Sequence, residues 1–346
     1  MRDKGSQAAL VSGPRDCSWV RPGASGLWVA PAGCWIDPHD PVERALVTHG
    51  HGDHARGGHQ QVFATPETLA IMALRYGAAR DIVAVRYGDT VELAGGVSAT
   101  FLPAGHVLGS AQILLRYAGE RVIVTGDYKR RADPTCAPFV PAACDVLITE
   151  ATFGLPVFIH PPIEDEIARL LETRARNPDR CVLVGAYALG KAQRLIAELR
   201  RAGYGEAIYL HGALVQMCRL YEEQGVPLGP IALVMDATKE ALRGQIVLCP
   251  PGALNDRWAR RLPDPITALA SGWMRVRQRA RQRNVELPLV ISDHADWNEL
   301  TRTIAEVDPA ETWITHGRED GLLRWCELQQ RPARALALAG MFDEDD

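Results

Sequence analysis

Several features typical of secreted and membrane proteins are missing from this sequence. Its 346 residues contain no apolar run of about 18, and the first ten, MRDKGSQAAL, lack the apolar stretch of a signal peptide. We therefore expect neither a membrane span nor export. The eight cysteines form no CxxC pair, which predicts reduced, mostly buried thiols and a cytoplasmic protein.

The chain also lacks a strong excess of either charge. It has 38 basic and 42 acidic residues, a net charge of −4, so any surface that binds nucleic acid must be a local patch. Apolar residues make up 47% and charged residues 23% of the chain, which excludes wholesale disorder. The length predicts two domains, or one large domain with an insertion.

The apolar pattern changes along the chain. Short strands broken by proline and glycine are predicted between residues 27 and 153. Strands and helices then alternate over residues 161–263, which is typical of a small α/β unit with parallel strands.

Two helix starts are marked by their capping residues. Thr65 and Pro66 are an N-cap followed by a proline at the first helical position. Asp296 and Glu299 have the spacing of a capping box, so a second helix is expected to begin after Asp296.

Residues 48–54, with the sequence THGHGDH, contain three imidazoles and one carboxylate directly after an apolar strand. Zn²⁺ and similar divalent metals bind such a mixture of nitrogen and oxygen ligands. The glycines allow the backbone to turn sharply enough for these side chains to converge. Two later residues, His106 in GHVLGSAQ and Asp127 in VTGDY, repeat the pattern of a ligand at a strand end. This loop therefore predicts a metal site.

In their order and spacing, these motifs resemble the metallo-β-lactamase superfamily, in its nuclease branch with a β-CASP insertion. The chain is most similar to the bacterial ligase-associated DNA exonucleases, relatives of the crosslink-repair nucleases and Artemis. The resemblance implies an α/β fold, in which an αββα sandwich of residues 27–160 and 264–346 carries a β-CASP insertion at 161–263. Residues 1–26 are then an N-terminal extension.

The resemblance also implies the metal ligands. It suggests two divalent metal ions, zinc or alternatively manganese, with Asp37 in WIDP bracing the metal loop instead of binding metal. The first ion would take His49, His51, His106 and Asp127. The second would take Asp53, His54 and the bridging Asp127.

Three later motifs resemble the β-CASP motifs A, B and C. They are Glu150 in TEATFG, His294 in SDHADW and His316 in WITHG. The resemblance gives catalytic roles to Asp53, Glu150 and His294, with His294 as the general acid, oriented by Glu150. The alternative is that Glu150 and His294 only tie the insertion to the main domain. His316 is interpreted as a ligand of the second metal, or alternatively as a surface histidine.

Eight arginines lie between residues 257 and 283 against only two aspartates, Asp256 and Asp264, which gives a local charge of +6. Arg275, Arg277 and Arg279 are the predicted contacts to nucleic-acid phosphates, and a solvated arginine-rich loop is the alternative. Lys191 opens a helix and could hold a terminal phosphate, or could be an ordinary helix-start lysine. Trp273 could stack on a base or be buried.

The predicted function is a metal-dependent phosphodiesterase, a two-metal DNA exonuclease that digests single strands or ends, from a 5′ end, in repair. An RNA-processing nuclease of the same fold is the alternative, since a histidine at motif C is more usual among RNA-processing members. A hydrolase of small esters or lactams and a non-catalytic scaffold are two further classes. The resemblance also suggests a DNA ligase or helicase repair system as partner.

Overall fold

The computed structural model describes residues 17–283 and 285–337. The first sheet has the order β1-β2-β3-β4-β5-β6. Its strands are β1 Val20–Gly23, β2 Gly26–Val29, β3 Cys34–Ile36, β4 Arg44–Leu46, β5 Gln61–Ala64 and β6 Asp81–Ala84. The second sheet has the order β19-β18-β11-β10-β9-β8-β7. Its strands are β7 Thr90–Glu92, β8 Ser98–Pro103, β9 Ala111–Tyr117, β10 Glu120–Val124, β11 Val146–Ala151, β18 Glu311–Gly317 and β19 Ala333–Ala335.

The third sheet is entirely parallel, with the order β14-β13-β15-β12-β16-β17. Its strands are β12 Val182–Gly185, β13 Ile208–Leu210, β14 Ile231–Leu233, β15 Ile246–Cys249, β16 Ile266–Ala270 and β17 Leu287–Leu289. The α-helices are α1 Pro66–Tyr76, α2 Ile163–Arg176, α3 Lys191–Arg201, α4 Gly212–Glu223, α5 Arg277–Gln282, α6 Trp297–Val307 and α7 Glu319–Leu328.

The first two sheets pack face to face, and helices cover their outer faces. Alternation of side chains along β9 shows how: Ile113 lies in the core between the sheets, whereas Leu114 faces the layer formed with α6 and α7. On the other side, Leu69 and Met72 of α1 cover the outer face of the first sheet. The layers are therefore helix, sheet, sheet, helix, and the predicted αββα sandwich is confirmed.

Both helix starts that the capping residues predicted are present. Thr65 caps α1 by accepting a hydrogen bond from the backbone N–H of Thr68. Asp296 caps α6 and exchanges side-chain hydrogen bonds with Glu299 in a capping box.

The third sheet extends beyond the predicted insertion. Residues 161–263 supply four of its strands, but β16 and β17 follow residue 263 and pair in parallel with β12 and with each other. Sheet membership therefore puts the end of this α/β unit near residue 289. The pairing of β12 with β16 joins Val182 to Ile266, 84 residues further along the chain, so local apolar patterns do not reveal it.

The predicted extension over residues 1–26 also differs in part. Residues 1–16 lie outside the described residues. Val20–Gly23 is a strand that pairs with Gly26–Val29, and Val20 is fully buried. The sequence pattern does not predict this strand, because a proline and two glycines, which disfavour strands, lie within seven residues.

Two further properties concern the whole described region. Among residues 17–283 and 285–337, no helix combines the length and apolar character that crossing a membrane requires. Seven of the eight cysteines have buried side chains, and burial raises the thiol pKa of several of them, for example to about 12 for Cys34 and Cys181.

Candidate metal centre

The histidine-rich loop follows β4 and crosses the end of helix α1. Gly50 lies so close to that helix that a Cβ atom there would be 2.6 Å from Ile71 Cγ2. A larger residue would therefore push the loop away from the helix. This close packing holds His49 and His54 in the interior, where both side chains are buried.

Asp37, at the end of β3, holds this loop in place. Its Oδ1 accepts the backbone N–H of Thr48 at 2.7 Å, and its Oδ2 accepts the Thr48 hydroxyl at 2.6 Å and His54 Nδ1 at 2.8 Å. The carboxylate is buried and all its described contacts run to the loop. This placement agrees with the expected bracing role.

The same contacts fix the tautomers of two imidazoles. His54 donates its Nδ1–H to Asp37, so in the neutral ring its Nε2 carries the lone pair. The Thr48 hydroxyl already donates to Asp37, so it accepts from His49 Nδ1, 3.0 Å away. Both Nε2 atoms are buried without a hydrogen-bond partner. Two ring nitrogens without a hydrogen-bond partner thus point into one small space.

His51 and His106 form a second pair of the same kind. His106 Nδ1 donates to the carbonyl of Asp293 at 2.8 Å, and His51 Nε2 faces the carbonyl of Leu189 at 3.3 Å. A carbonyl can only accept, so the remaining nitrogens, His106 Nε2 and His51 Nδ1, carry lone pairs. These two atoms lie 2.9 Å apart, an arrangement that a shared cation stabilises.

Asp127 lies at the centre of the imidazoles. Its Oδ2 is 3.4 Å from His54 Nε2, 3.5 Å from His49 Nε2 and 3.8 Å from His106 Nε2. Its Oδ1 is buried and has no hydrogen-bond partner. A carboxylate in this position can serve two adjacent cations.

The donor atoms fall into overlapping groups that share these ligands. His49, His51, His106 and Asp127 form one group, and His54, Asp127 and His316 form another. Asp53 lies beside the second group, with Oδ2 3.5 Å from His54 Nε2. The His316 ring stacks on that of His54 with centroids 4.8 Å apart. Because nitrogen and carboxylate donors converge with orphaned lone pairs, these residues fit divalent metal ions.

Burial and neighbouring charges shift the pKa of His54 in the opposite direction to those of His49 and His106. Burial, reinforced by neighbouring imidazoles, lowers the pKa of His49 and His106 well below the usual value. For His54, burial alone would lower the pKa, but Asp127 and Asp53 outweigh it and raise the pKa well above the usual value. For Asp127, burial would raise the pKa, but the His54 imidazole outweighs burial and keeps the pKa well below its usual range.

Glu150 and His294 form a pair next to these ligands. Glu150 Oε2 lies 3.1 Å from His294 Nδ1, and Glu150 Oε1 accepts the backbone N–H of Tyr128 at 2.7 Å. His294 Nδ1 is also 3.9 Å from Asp127 Oδ2. Burial raises the pKa of Glu150, while the His294 imidazole opposes that rise. The pair can hold and move a proton at the edge of the site.

A surface cavity opens onto this cluster. It is lined from both the sandwich and the α/β unit, by His51, Asp53, His106, Asp127, Thr152, Tyr187, Leu189, Asp293, His294 and His316. Tyr187 and Leu189 come from the loop that leads into α3, so that loop forms one wall. The structure therefore brings all the predicted metal ligands together with His294, and places Glu150 directly behind His294.

The predicted nucleic-acid contacts lie elsewhere. Arg275 and Arg277 are exposed, and the Arg279 guanidinium stacks 3.8 Å over the ring of Trp273. Trp273 is half-buried and packs on Phe153 with ring centroids 4.9 Å apart. It belongs to a short 3₁₀ turn and not to a strand.

Lys191 takes a less open position than the prediction requires. Its side chain is 1% exposed, and its ammonium lies 4.0 Å from Asp293 Oδ2. A terminal phosphate would have to compete with that carboxylate. The prediction that Lys191 holds a phosphate stays untested, and this placement does not favour it.

Sequence reasoning missed the groups that orient the ligands. Thr48 is one such group, and its position directly before His49 was a usable signal. The backbone carbonyls of Leu189 and Asp293 are the others. Since every residue has a carbonyl, no pattern of side chains could have identified them.

Comparison with known proteins supports the same architecture. Residues 37–185 match the profile of the "Metallo-beta-lactamase superfamily". A "Probable DNA ligase" of Opitutus terrae is 32% identical over 314 residues, covering 87% of this chain and 30% of that protein. The "Endoribonuclease YSH1" of Mycosarcoma maydis is 31% identical over 250 residues, covering 58% of this chain and 27% of that protein.

Two further similarities extend this comparison. The "Cleavage and polyadenylation specificity factor subunit 3" of Dictyostelium discoideum is 32% identical over 219 residues, covering 52% of this chain and 28% of that protein. A crystal structure of a protein of unknown function from Enterococcus faecalis V583 superimposes with a TM-score of 0.55 at 15% identity, covering 80% of this chain and 76% of that one. This chain therefore spans less than a third of the length of these curated relatives.

Proposed function

Because this chain belongs to the metallo-β-lactamase superfamily, we propose that it is a metal-dependent nuclease that hydrolyses phosphodiester bonds of DNA from a 5′ end. The observation that carries this proposal is the convergence of imidazole lone pairs around Asp127, next to the Glu150–His294 pair. A site for metal binding alone would not need that second pair. The relatives with "endoribonuclease" in their names support nuclease chemistry.

The residues have distinct roles in this proposal. His49, His51, His106 and Asp127 hold the first ion, and Asp53, His54, Asp127 and His316 hold the second. Two such ions supply a nucleophile from water near neutral pH and neutralise charge on a phosphodiester. We favour zinc, and manganese is the alternative, because carboxylates supply part of the ligand set.

His294 protonates the leaving oxygen. Glu150 accepts from His294 Nδ1, which leaves Nε2 as the atom that faces the leaving group. Thr152 Oγ1, 3.4 Å from the same Nδ1, is a second group that restrains the ring. The carboxylate thus sets both the orientation and the basicity of this imidazole.

Exposed arginines guide the strand to the site. Trp273 connects to His294 through Phe153, whose ring centroid is 6.1 Å from that of His294. Arg275, Arg277 and Arg279 follow Trp273 in the chain and would neutralise the backbone phosphates of a bound strand.

DNA is favoured over RNA because the DNA-ligase relative matches 87% of this chain, against 58% and 52% for the two RNA-processing relatives. We propose cytoplasmic DNA end processing, beside a ligase and a helicase, as the setting. RNA cleavage is the second candidate, supported by those endoribonuclease relatives and by His316 at motif C.

Digestion of matched DNA and RNA oligonucleotides tests the proposal. Each is labelled at either end, carries a 5′-phosphate or a 5′-hydroxyl, and is incubated with zinc- or manganese-loaded protein, with Asp127→Ala as control. We expect mononucleotide release from the 5′ end of DNA, faster with a 5′-phosphate. Faster cleavage of RNA would support the second candidate.

Other outcomes would reject parts of the proposal. Release of mononucleotides from a 3′ end would reject the proposed direction of digestion. Equal rates on 5′-phosphate and 5′-hydroxyl substrates would reject specific recognition of a 5′-phosphate. Hydrolysis of a chromogenic lactam without any nuclease activity would identify a small-molecule hydrolase. Inactivity on every substrate despite full metal loading would indicate a binding scaffold.

A further inference from the structure

A buried network of ion pairs connects helix α3 of the α/β unit to the metal ligand His106. Its centre is Arg194, whose side chain is only 2% exposed. The guanidinium lies between two buried carboxylates, Asp133 and Asp293, which come from two different loops of the sandwich. Each of these loops contacts His106 in its own way.

The first connection reaches the His106 backbone. Lys129 Nζ donates to the His106 carbonyl at 3.0 Å and to Asp133 Oδ2 at 2.8 Å. Arg194 Nε is 3.4 Å from the same Asp133 oxygen. The two cations therefore share one carboxylate, and the position of Lys129 under His106 depends on it.

The second connection reaches the His106 ring. Arg194 Nη1 donates to the carbonyl of Ser292 and to Asp293 Oδ1, the latter at 3.3 Å. The backbone carbonyl of Asp293 is the group that accepts His106 Nδ1–H. By holding this segment, Arg194 holds the acceptor that sets the His106 tautomer.

The start of α3 is also packed against the same loop. At Gly190, the N-cap of α3, an added Cβ would lie 2.4 Å from Val107 Cγ1. Helix α3 therefore has little freedom to shift relative to the residue next to His106.

We propose that Arg194 is a positioning residue that couples the α/β unit to His106 and so sets the geometry of the first metal site. A planar guanidinium presents five N–H donors in a rigid fork, so it can hold both carboxylates in a fixed relative position better than a flexible ammonium. Groups that orient metal-bound histidines typically change metal affinity by about 10–100-fold when they are removed. The inference rests on the proposed metal role of His106.

Three variants test the coupling: Arg194→Met, Arg194→Lys and the control Arg200→Met. Arg200 lies on the same helix and also donates to several carbonyls, those of Leu228, Tyr204, Glu206 and Pro230. None of these contacts leads to His106. Zn²⁺ titration with histidine ¹⁵N NMR resolves the sites, because His106 reports on the first and His54 on the second.

We expect Arg194→Met to weaken zinc binding at the first site by about 10–100-fold. The second site should change far less. In metal-free protein, the His106 ring should change from a single Nδ1–H tautomer to a mixture. Arg194→Lys should give a smaller loss, and Arg200→Met should leave the first site and the His106 tautomer unchanged. If Arg194→Met does not fold, the lysine variant carries the test.

Several outcomes would overturn the coupling. An equal loss at both sites would make Arg194 a general structural residue, and so would a matching loss in Arg200→Met. Unchanged zinc affinity and an unchanged His106 tautomer in a folded Arg194 variant would reject the coupling directly. If the unmodified protein binds no zinc, the proposed function fails, while the tautomer in the metal-free variants still decides whether Arg194 positions His106.

Discussion

His51 Nδ1 and His106 Nε2 face each other at 2.9 Å, although a backbone carbonyl accepts from the opposite nitrogen of each ring. While both rings are neutral, neither can therefore supply a proton between them without giving up its carbonyl contact. Each ring alone would be an ordinary buried histidine. Together they form a site that is complete only with a cation.

Metal content is the first prediction. Metal analysis of the protein should give about two divalent ions per chain, and we expect these to be zinc. Asp127→Ala should lose both, because that carboxylate lies within 4 Å of ring nitrogens from both ligand groups. Retention of two ions at full occupancy in Asp127→Ala would contradict the bridging role.

The two metal sites should respond differently to pH. His49 and His106, whose pKa values are lowered, are already neutral near pH 7, so affinity at the first site should change little there. The raised pKa of His54 keeps it protonated, and a metal must displace that proton. Second-site affinity should therefore fall as pH falls, by up to about tenfold per pH unit.

Zinc titrations between about pH 6 and pH 8 test this difference. Titrating in two buffers with different ionisation enthalpies should show about one proton released on filling the second site. His54→Gln is the matched variant, in which that proton release should vanish. Equal pH dependence of zinc affinity at both sites would contradict the described difference in pKa between His54 and the pair His49 and His106.

Substitutions of His294 and His316 should have different effects on metal content and on rate. His294→Ala should keep both metals and bind DNA but lose about two to four orders of magnitude in rate. A substrate with a good leaving group should recover part of that loss. His316→Ala should lower second-site occupancy, since His316 stacks on His54, and added metal should partly restore activity. If His294→Ala loses a metal and His316→Ala keeps both, the roles are reversed.

The arginines should act through charge alone. Removing Arg275, Arg277 and Arg279 together should weaken binding to all single-stranded DNA sequences alike. The slope of log affinity against log salt should flatten by about 0.7 per lost contact. The control is removal of three other exposed arginines, Arg176, Arg302 and Arg324. An unchanged slope after removal of Arg275, Arg277 and Arg279 would show that other residues contact the backbone phosphates.

His160 should make the fold sensitive to acid. Burial lowers the pKa of this imidazole to about 3, with help from the nearby Arg131 charge, against about 6.5 in the unfolded chain. The unfolded state therefore binds one proton more between these values. Stability from this group is complete above about pH 6.5 and is lost as pH falls toward 3, by up to about 1.4 kcal/mol per pH unit.

Chemical denaturation in the presence of a chelator tests that contribution. Wild type and His160→Phe are compared at about pH 7 and about pH 4.5. The ring of His160 packs on Phe153 with centroids 4.7 Å apart, so phenylalanine should preserve the packing. The wild type should lose more stability on acidification than the variant. Parallel losses would mean that His160 does not titrate in this range.

How much the sequence predicted depends on whether the signal is local. The loop at residues 48–54 and the N-caps Thr65 and Asp296 are local, and the structure has the loop and the caps where expected. Strand β16 belongs to the third sheet through pairing with the distant strand β12, and β17 joins that sheet through β16. The end of the α/β unit near residue 289, beyond the predicted boundary at 263, was therefore out of reach of local patterns.

The orienting groups were hidden for a different reason. Arg194 looks like any charged helix residue in the sequence, and only burial between Asp133 and Asp293 distinguishes it. The backbone carbonyl of Leu189 also accepts from a ligand, but every residue has such a carbonyl, so the type of residue does not identify it. Sequence patterns identify the candidate metal ligands but not the residues that orient them.

The contact between His51 and Leu189 spans 138 residues, and that between His106 and Asp293 spans 187. During synthesis the histidines leave the ribosome long before the carbonyls that orient them. Closing loops of this length is slow compared with forming local helices. We therefore expect productive metal loading to be a late event. Ions that bind the N-terminal half during synthesis would find histidines able to coordinate through either ring nitrogen.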